Sequence, residues 1–219
     1  MVTPPNKFMC MSLEGKGPTE PTNRRARQAR AIEKRKAILD SAIELMFAQG
    51  LQGVTHRQVA ARASVPVGSI GYYFNTRDEL LIHALGVLGE ANDVEAAALA
   101  ADMPEPSADA ADQKLPAEEA AKILLDIYLP RNHDRLVGWV GVKMDCVRES
   151  VALQETLQRQ RSLVLVHLAE ALRKAGYEWL RAELVVLVIE GAVVEAAVAG
   201  ETPVDKSALE ALGLLLSAA

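Results

Sequence analysis

The chain has 219 residues, half of them apolar but only 4% aromatic, with 24 Lys and Arg against 29 Asp and Glu and a net charge of −5. That length can bury a core without disulfide staples, and two cysteines, Cys10 and Cys146, are too few for a disulfide scaffold and lack metal-ligand spacing. The dominance of Ala, Leu, Val, Glu and Arg predicts an all-α fold, while the lack of a long apolar run, or of an apolar core in Met1 to Pro21, argues against a membrane span or a secretory signal and for a cytoplasmic protein.

Residues 1–23 hold several Pro and Gly, few large apolar side chains and no period, so a disordered tail is expected. A basic arm follows: Arg24, Arg25, Arg27, Arg30, Lys34, Arg35 and Lys36, opposed only by Glu33. Ile38, Ala42, Leu45 and Met46 then repeat with a helical period up to Gly50, which predicts a first helix of about 17 residues entered through the arm. Thr55 with Gln58 fits a capping box, and Val54 with Val59 fits a hydrophobic staple, so a short helix should start at Thr55. Ser64 and Pro66 interrupt it. A second short helix is predicted from Pro66 to Phe74, with Val65, Ile70 and Phe74 inward and Val67, Ser69, Gly71, Tyr72 and Tyr73 outward. Thr76 and Glu79 then cap a further helix beginning at Arg77.

Two short helices joined by a tight turn and braced by a longer one form a helix-turn-helix, whose second helix fits the DNA major groove. The small and hydroxylated outward residues let the backbone approach the bases, and the tyrosines can donate to phosphates. Arg57 can reach a guanine edge or a phosphate, and Arg77 sits at a helix N-terminus, where a phosphate is favoured. Charge agrees: residues 1–80 carry 12 Lys and Arg against 7 Asp and Glu, a net +5, whereas residues 81–219 carry 12 against 22, a net −10. The same pieces also fit a generic helical hairpin with solvated charged faces.

The run from Val54 through Tyr72-Tyr73-Phe74 to Leu81 resembles the DNA-binding segment of the TetR family of transcriptional regulators, and the likeness extends over Ile32 to Ala84. The resemblance implies an N-terminal three-helix DNA-binding domain at 24–80 that binds an inverted repeat in double-stranded DNA as a homodimer. It also implies a helical domain at 81–219 that takes a small effector and thereby releases the DNA. By that resemblance Thr55, His56 and Arg57 start the supporting helix, where the family contacts phosphates, and Val67, Gly68, Ser69, Tyr72 and Tyr73 form the recognition surface. Arg77 stands for a frequent backbone-holding lysine. Two positions depart from the family pattern: Gly71 replaces a usual tyrosine, and Ser64 stands where the turn usually has glycine.

The body reads as a helical bundle: a helix through Ala84, Leu85, Leu88 and Ala91 to about Ala101, a loop from Asp102 to Pro116, a helix from Glu118 to Leu129, and a turn near His133. A long helix through Trp139, Met144, Val147, Val151 and Leu157 is expected next, then helices over 163–174, 179–199 and from Ser207 to Leu216. The segment 184–198 is apolar nearly all round apart from Glu190 and Glu195, so it needs cover on every face, and packing with 163–174 against a twin subunit supplies it. A single central helix in a monomer is the alternative. An effector pocket is expected among Leu85, Leu88, Ile127, Trp139, Met144, Val147 and His167, suited to a hydrophobic or amphipathic ligand, although the same stripe fits a filled core. Glu190 reads either as a paired acid or as the partner of a cationic ligand.

His56, His83, His133 and His167 are too dispersed for a metal or catalytic motif, and no nucleophile elbow or phosphate loop occurs, so neither an enzyme, a metal nor a cofactor is expected. Two further classes stay in view beside the ligand-gated regulator. One is a ligand-independent architectural DNA-binding protein, and the other a helical module whose basic arm meets acidic partners.

Overall fold

The computed structural model describes residues 21–105, 114–129, 135–200 and 203–218, all of it helix and connection. The first helix, α1, spans Pro21–Gln49, longer than the period alone predicts. Residues 24–36 are rich in Arg, Lys, Glu, Gln and Ala, all good helix formers, so the basic arm is the solvated first part of α1 rather than a separate stretch of chain. Of the disordered tail expected over residues 1–23, residues 1–20 lie outside the described residues, and residues 21–23 are instead the first turn of α1. Ile38, Leu39, Ala42, Leu45 and Met46 bury the other end of α1. Gly50 ends the helix with φ +68, and a 3₁₀ turn follows over Leu51–Gly53.

Helix α2 spans His56–Arg62, with Thr55 accepting from the Gln58 N–H at 3.2 Å, as the capping box requires. Its C-terminus closes by a Schellman arrangement in which Val65 N donates to Ala60 O at 3.0 Å and Ser64 takes a left-handed φ of 54. Helix α3, Val67–Tyr73, follows with Pro66 as N-cap, and Ile70 and Phe74 are fully buried beneath it. Helix α4, Arg77–Asp102, starts at Thr76, which accepts from Glu79 N at 3.1 Å, while the Glu79 carboxylate accepts from Asn75 N at 2.8 Å.

The body continues with α5 (Ala117–Tyr128), α6 (Leu136–Glu149), α7 (Val151–Lys174), α8 (Ala182–Ala199) and α9 (Val204–Ser217). Here the sequence-based boundaries need correction. One long helix through Trp139 and Leu157 is in fact two, because Ser150 is extended (φ −157, ψ 152) and its side chain caps α7 through Leu153 N. Helix α7 then runs unbroken to Lys174, and α8 starts at Ala182 because Tyr177 to Leu180 form a turn. The loop residues 106–113 and the turn expected near His133 lie outside the described residues.

Helix α4 packs on α7, and α9 packs on both α5 and α8. Lys174, almost buried, donates to the carbonyls of Ala100 and Met103 at 3.1 and 3.3 Å, which satisfies the orphan end of α4. One apolar cluster runs without a break from Ile38 of α1 to Leu216 of α9, so head and body share a core. Among the described residues no helix is long and apolar enough to cross a membrane.

Candidate nucleic-acid interface and ligand pocket

The surface of α3 is held out by what lies under it. Phe74 is buried between α1 and α4, with the Arg35 guanidinium 5.4 Å over its ring and His83 at 5.5 Å, while Arg35 and His83 approach each other at 3.3 Å. Tyr73 leans on Phe74 and meets Tyr72 edge-on at 5.2 Å. Tyr72 is 83% exposed and Val67 52%, and Gly68 is open beside them. Ser69 and Tyr73 are half-buried, whereas Thr55 and Arg57 are exposed on α2 and Arg24, Arg25, Arg27 and Arg30 on α1. The clamp of Arg35, Phe74 and His83 escapes sequence reasoning, because it joins residues 48 positions apart.

Two positions are placed otherwise than expected. His56 is only partly exposed, and its Nε2 is shut off from solvent without a partner, so that nitrogen does not face a ligand. Arg77 turns inward. Its Nε donates to Val54 O at 2.7 Å, and its two terminal nitrogens reach Leu51 O and the Glu149 carboxylate. The guanidinium fork is thereby committed within the chain, and the side-chain phosphate contact expected of Arg77 gives way to a bond between the head and α6.

Helix α6 grips the head at more points. Asp145 accepts from Leu51 N at 3.0 Å, and Gly138 lies so close to α1 that an added Cβ would stand 2.9 Å from Phe47 O. The Phe47 ring packs 6.3 Å from Trp139, and the Arg135 guanidinium lies 5.2 Å from its centroid.

Trp139 also borders a cavity of about 60 Å³ between α4, α5, α6, α7 and α8. Tyr128, Trp139, Leu157, Val164 and Val186 supply its apolar wall. Lys143 reaches in, donating to Tyr128 Oη at 2.9 Å and to the Glu190 carboxylate, and Tyr128 donates to the same carboxylate at 2.8 Å. Burial lowers the Lys143 pKa from its ordinary value against the pull of Glu190, and burial, then the Glu190 charge, raises that of Tyr128. Glu190 is thus a paired acid. His167 meets Asp93 at 2.8 Å on another side of the cavity.

Of the pocket residues expected from sequence, Trp139 and His167 line this cavity. Leu85 and Ile127 are fully buried core, and Leu88 is packed against it. Met144 and Val147 are corrected: they lie 50% and 53% exposed on the outer face of α6, because its inner face is set by Trp139, Val142 and Cys146. Lys143, Gln160 and Arg161 escape a sequence reading of the pocket, since charged and amide groups do not register in an apolar stripe.

Residues 38–84 match the sequence model of the tetR family of bacterial regulatory proteins. The transcriptional repressor KstR of Mycolicibacterium smegmatis is 43% identical over 54 residues, which are 25% of this chain and 26% of that protein. The match spans about a quarter of the length of this and other curated relatives. Over the whole fold, a TetR-family member from Streptomyces coelicolor A3 is 26% identical at a TM-score of 0.54, covering 84% of this chain and 98% of that one. The multidrug binding protein EbrR, crystallised with proflavin, is 28% identical at a TM-score of 0.54, covering 83% and 99%.

Proposed function

We propose that the chain is a member of the tetR family, whose sequence model its residues 38–84 match, and that it is a transcriptional regulator that binds an inverted repeat in duplex DNA as a homodimer. The observation that carries this reading is the face of α3, where Val67, Gly68 and Tyr72 stand uncovered over a rigid base, flanked by exposed Arg57 and the basic face of α1. Arg24, Arg25, Arg27 and Arg30 supply phosphate attraction without sequence preference, while Thr55, Arg57, Ser69, Tyr72 and Tyr73 set register and read bases. A gel shift with the DNA upstream of the protein's own gene tests it: Arg57→Ala and Tyr72→Ala should each weaken binding about tenfold while the assembly stays intact. Unchanged binding by both variants would remove α3 from the interface.

The dimer rests on α8. Ala182, Val185, Val186, Ile189, Val193 and Ala196 face the core, and the opposite side still carries Leu184, Leu187, Val194 and Val198, the last 80% exposed. With Gly191 open between them, these positions form an i, i+3, i+7 seam, and Leu163 and Val166 of α7 extend the apolar area. A twin subunit that covers the seam also places two recognition helices on one duplex.

Effector control follows from α6, which touches both places: Trp139 and Lys143 border the cavity, and Asp145 and Glu149 hold Leu51 and Arg77 of the head. A ligand that shifts α6 must also shift the corner from which α2 and α3 project, and release of DNA is the readout. The complex of EbrR with proflavin supports the same use of this body.

A further inference from the structure

We propose that α3 chooses its DNA half-site through the methyl groups of thymine, met by Val67 and Tyr72, rather than through hydrogen bonds from its side chains to base edges. The proposal rests on the reading of α3 as the recognition helix and gives the chemistry by which that helix selects a sequence.

Three observations point there. First, the head has already spent nearly all the groups that read bases by paired hydrogen bonds, which are the side chains of Arg, Lys, Asn and Gln. Between Leu51 and Arg77 these are Gln52, Arg57, Gln58, Arg62, Asn75 and Arg77, and none of them lies on α3. Gln52 donates to the Glu149 carboxylate at 3.4 Å, and Arg62 donates to that of Glu44 at 2.5 Å. Gln58 accepts the Thr55 O–H at 3.0 Å and donates to Gln49 Oε1 at 3.3 Å. Asn75 donates to Glu79 at 3.2 Å, and Arg77 is turned inward. Arg57 alone is exposed and bonded to no described residue. Second, Val67, Gly68, Gly71 and Tyr72 are the exposed positions of α3 and share one face of it. Ser69 and Tyr73 stand half-buried at its margins. What the face offers a base pair is the methyls of Val67 and the ring of Tyr72. Of the groups that line the major groove, only the C5 methyl of thymine is an apolar match for that carbon surface.

Third, the two glycines of this face have no reason inside the chain. Gly68 and Gly71 are helical without a positive φ, and nothing lies within 4 Å of a Cβ added to either. Glycine is the poorest helix former after proline, so two of them weaken a helix of seven residues. On the helix surface they fall between Val67 and Tyr72, and the bare strip lets the α3 backbone lie close to a ligand. A side chain as short as valine touches a thymine methyl only from a backbone that close.

Fluorescence anisotropy of the full chain at fixed salt tests this on the upstream duplex of the gel shift, remade with deoxyuridine in place of thymidine. Uracil keeps every hydrogen-bonding group of thymine and lacks only the methyl. Replacement throughout should weaken binding about tenfold or more, and replacement one position at a time should reveal a penalty of about fourfold for each buried methyl, as expected for one carbon removed from water. Val67→Ala should erase the penalty at one position of each half-site and Tyr72→Ala at another, with the melting temperature of both variants unchanged because these side chains are exposed. Gly71→Ala should melt higher than the unaltered chain and yet bind about tenfold more weakly, since its Cβ meets the DNA and nothing in the chain. Equal affinity for the thymine and uracil duplexes, a uracil penalty that survives unchanged in both Val67→Ala and Tyr72→Ala, or full binding by Gly71→Ala would each overturn the proposal. Binding that ignores the methyl removes this proposal and keeps the regulator, whereas an unaltered chain that binds no duplex contradicts both.

Discussion

Ser64 holds a left-handed backbone at φ 54, a conformation that costs a non-glycine residue about 1 kcal/mol or more. Ser64→Gly should therefore raise the stability of the chain by about 1 kcal/mol in a urea melt, without touching the face of α3. Gly71 differs in kind. It is an ordinary helical position with nothing within 4 Å of an added Cβ, so Gly71→Ala should stabilise by about 1 kcal/mol through propensity alone. Arg77→Ala should cost about 2 kcal/mol, because it strips the partly buried Glu149 carboxylate and two carbonyls of their donor. Burial, with the charge of Asp145 beside it, pushes the Cys146 thiol up to about 11, so at pH 8 it should resist iodoacetamide until the protein unfolds, which mass spectrometry of labelled peptides checks. Ser64 and Gly71 are legible in the sequence because their effects are local. Arg77 is not: its partner Glu149 lies 72 residues away, and only the fold brings them together.

At the level of the helix, legibility follows the caps. Thr55 and Thr76 announce α2 and α4 through residues three positions on, and both caps form. Ser150 has no acid or amide three residues later, since Leu153 stands there, and the apolar period carries on across it, so the break between α6 and α7 is hidden in the sequence. The same hidden break misplaces Met144 and Val147, whose outward direction depends on how α6 is docked against the head. The reading of α8 as apolar nearly all round goes further, because apolar residues on two opposite faces demand two covers. Leu187→Glu puts a charge in the middle of the outer seam and should convert the proposed dimer to monomer in sedimentation velocity while helix content by circular dichroism is kept. A monomer already in the unaltered protein would rule the seam out as an interface.

Across the whole molecule, the net charge of −5 conceals a head of +5 and a body of −10, and the fold sets the exposed arginines of α1 on the same part as α3. Removing residues 1–30 should lower the slope of log affinity against log salt by about 0.9 for each phosphate no longer neutralised, while the preferred sequence stays the same. The pocket is the least legible part, because a cavity depends on the fit of five helices and its polar groups come from α4, α5, α6 and α7 in no sequence pattern. Paired α3 helices that read two half-sites of one duplex are central to the proposed function. Selection of bound duplexes from a random library by the full chain tests this directly: the expected result is an enriched inverted repeat whose half-sites lie about one or two helical turns apart, and no such enrichment with Tyr72→Ala. Enrichment of an unrepeated sequence, or capture of duplexes without any preference, would contradict it.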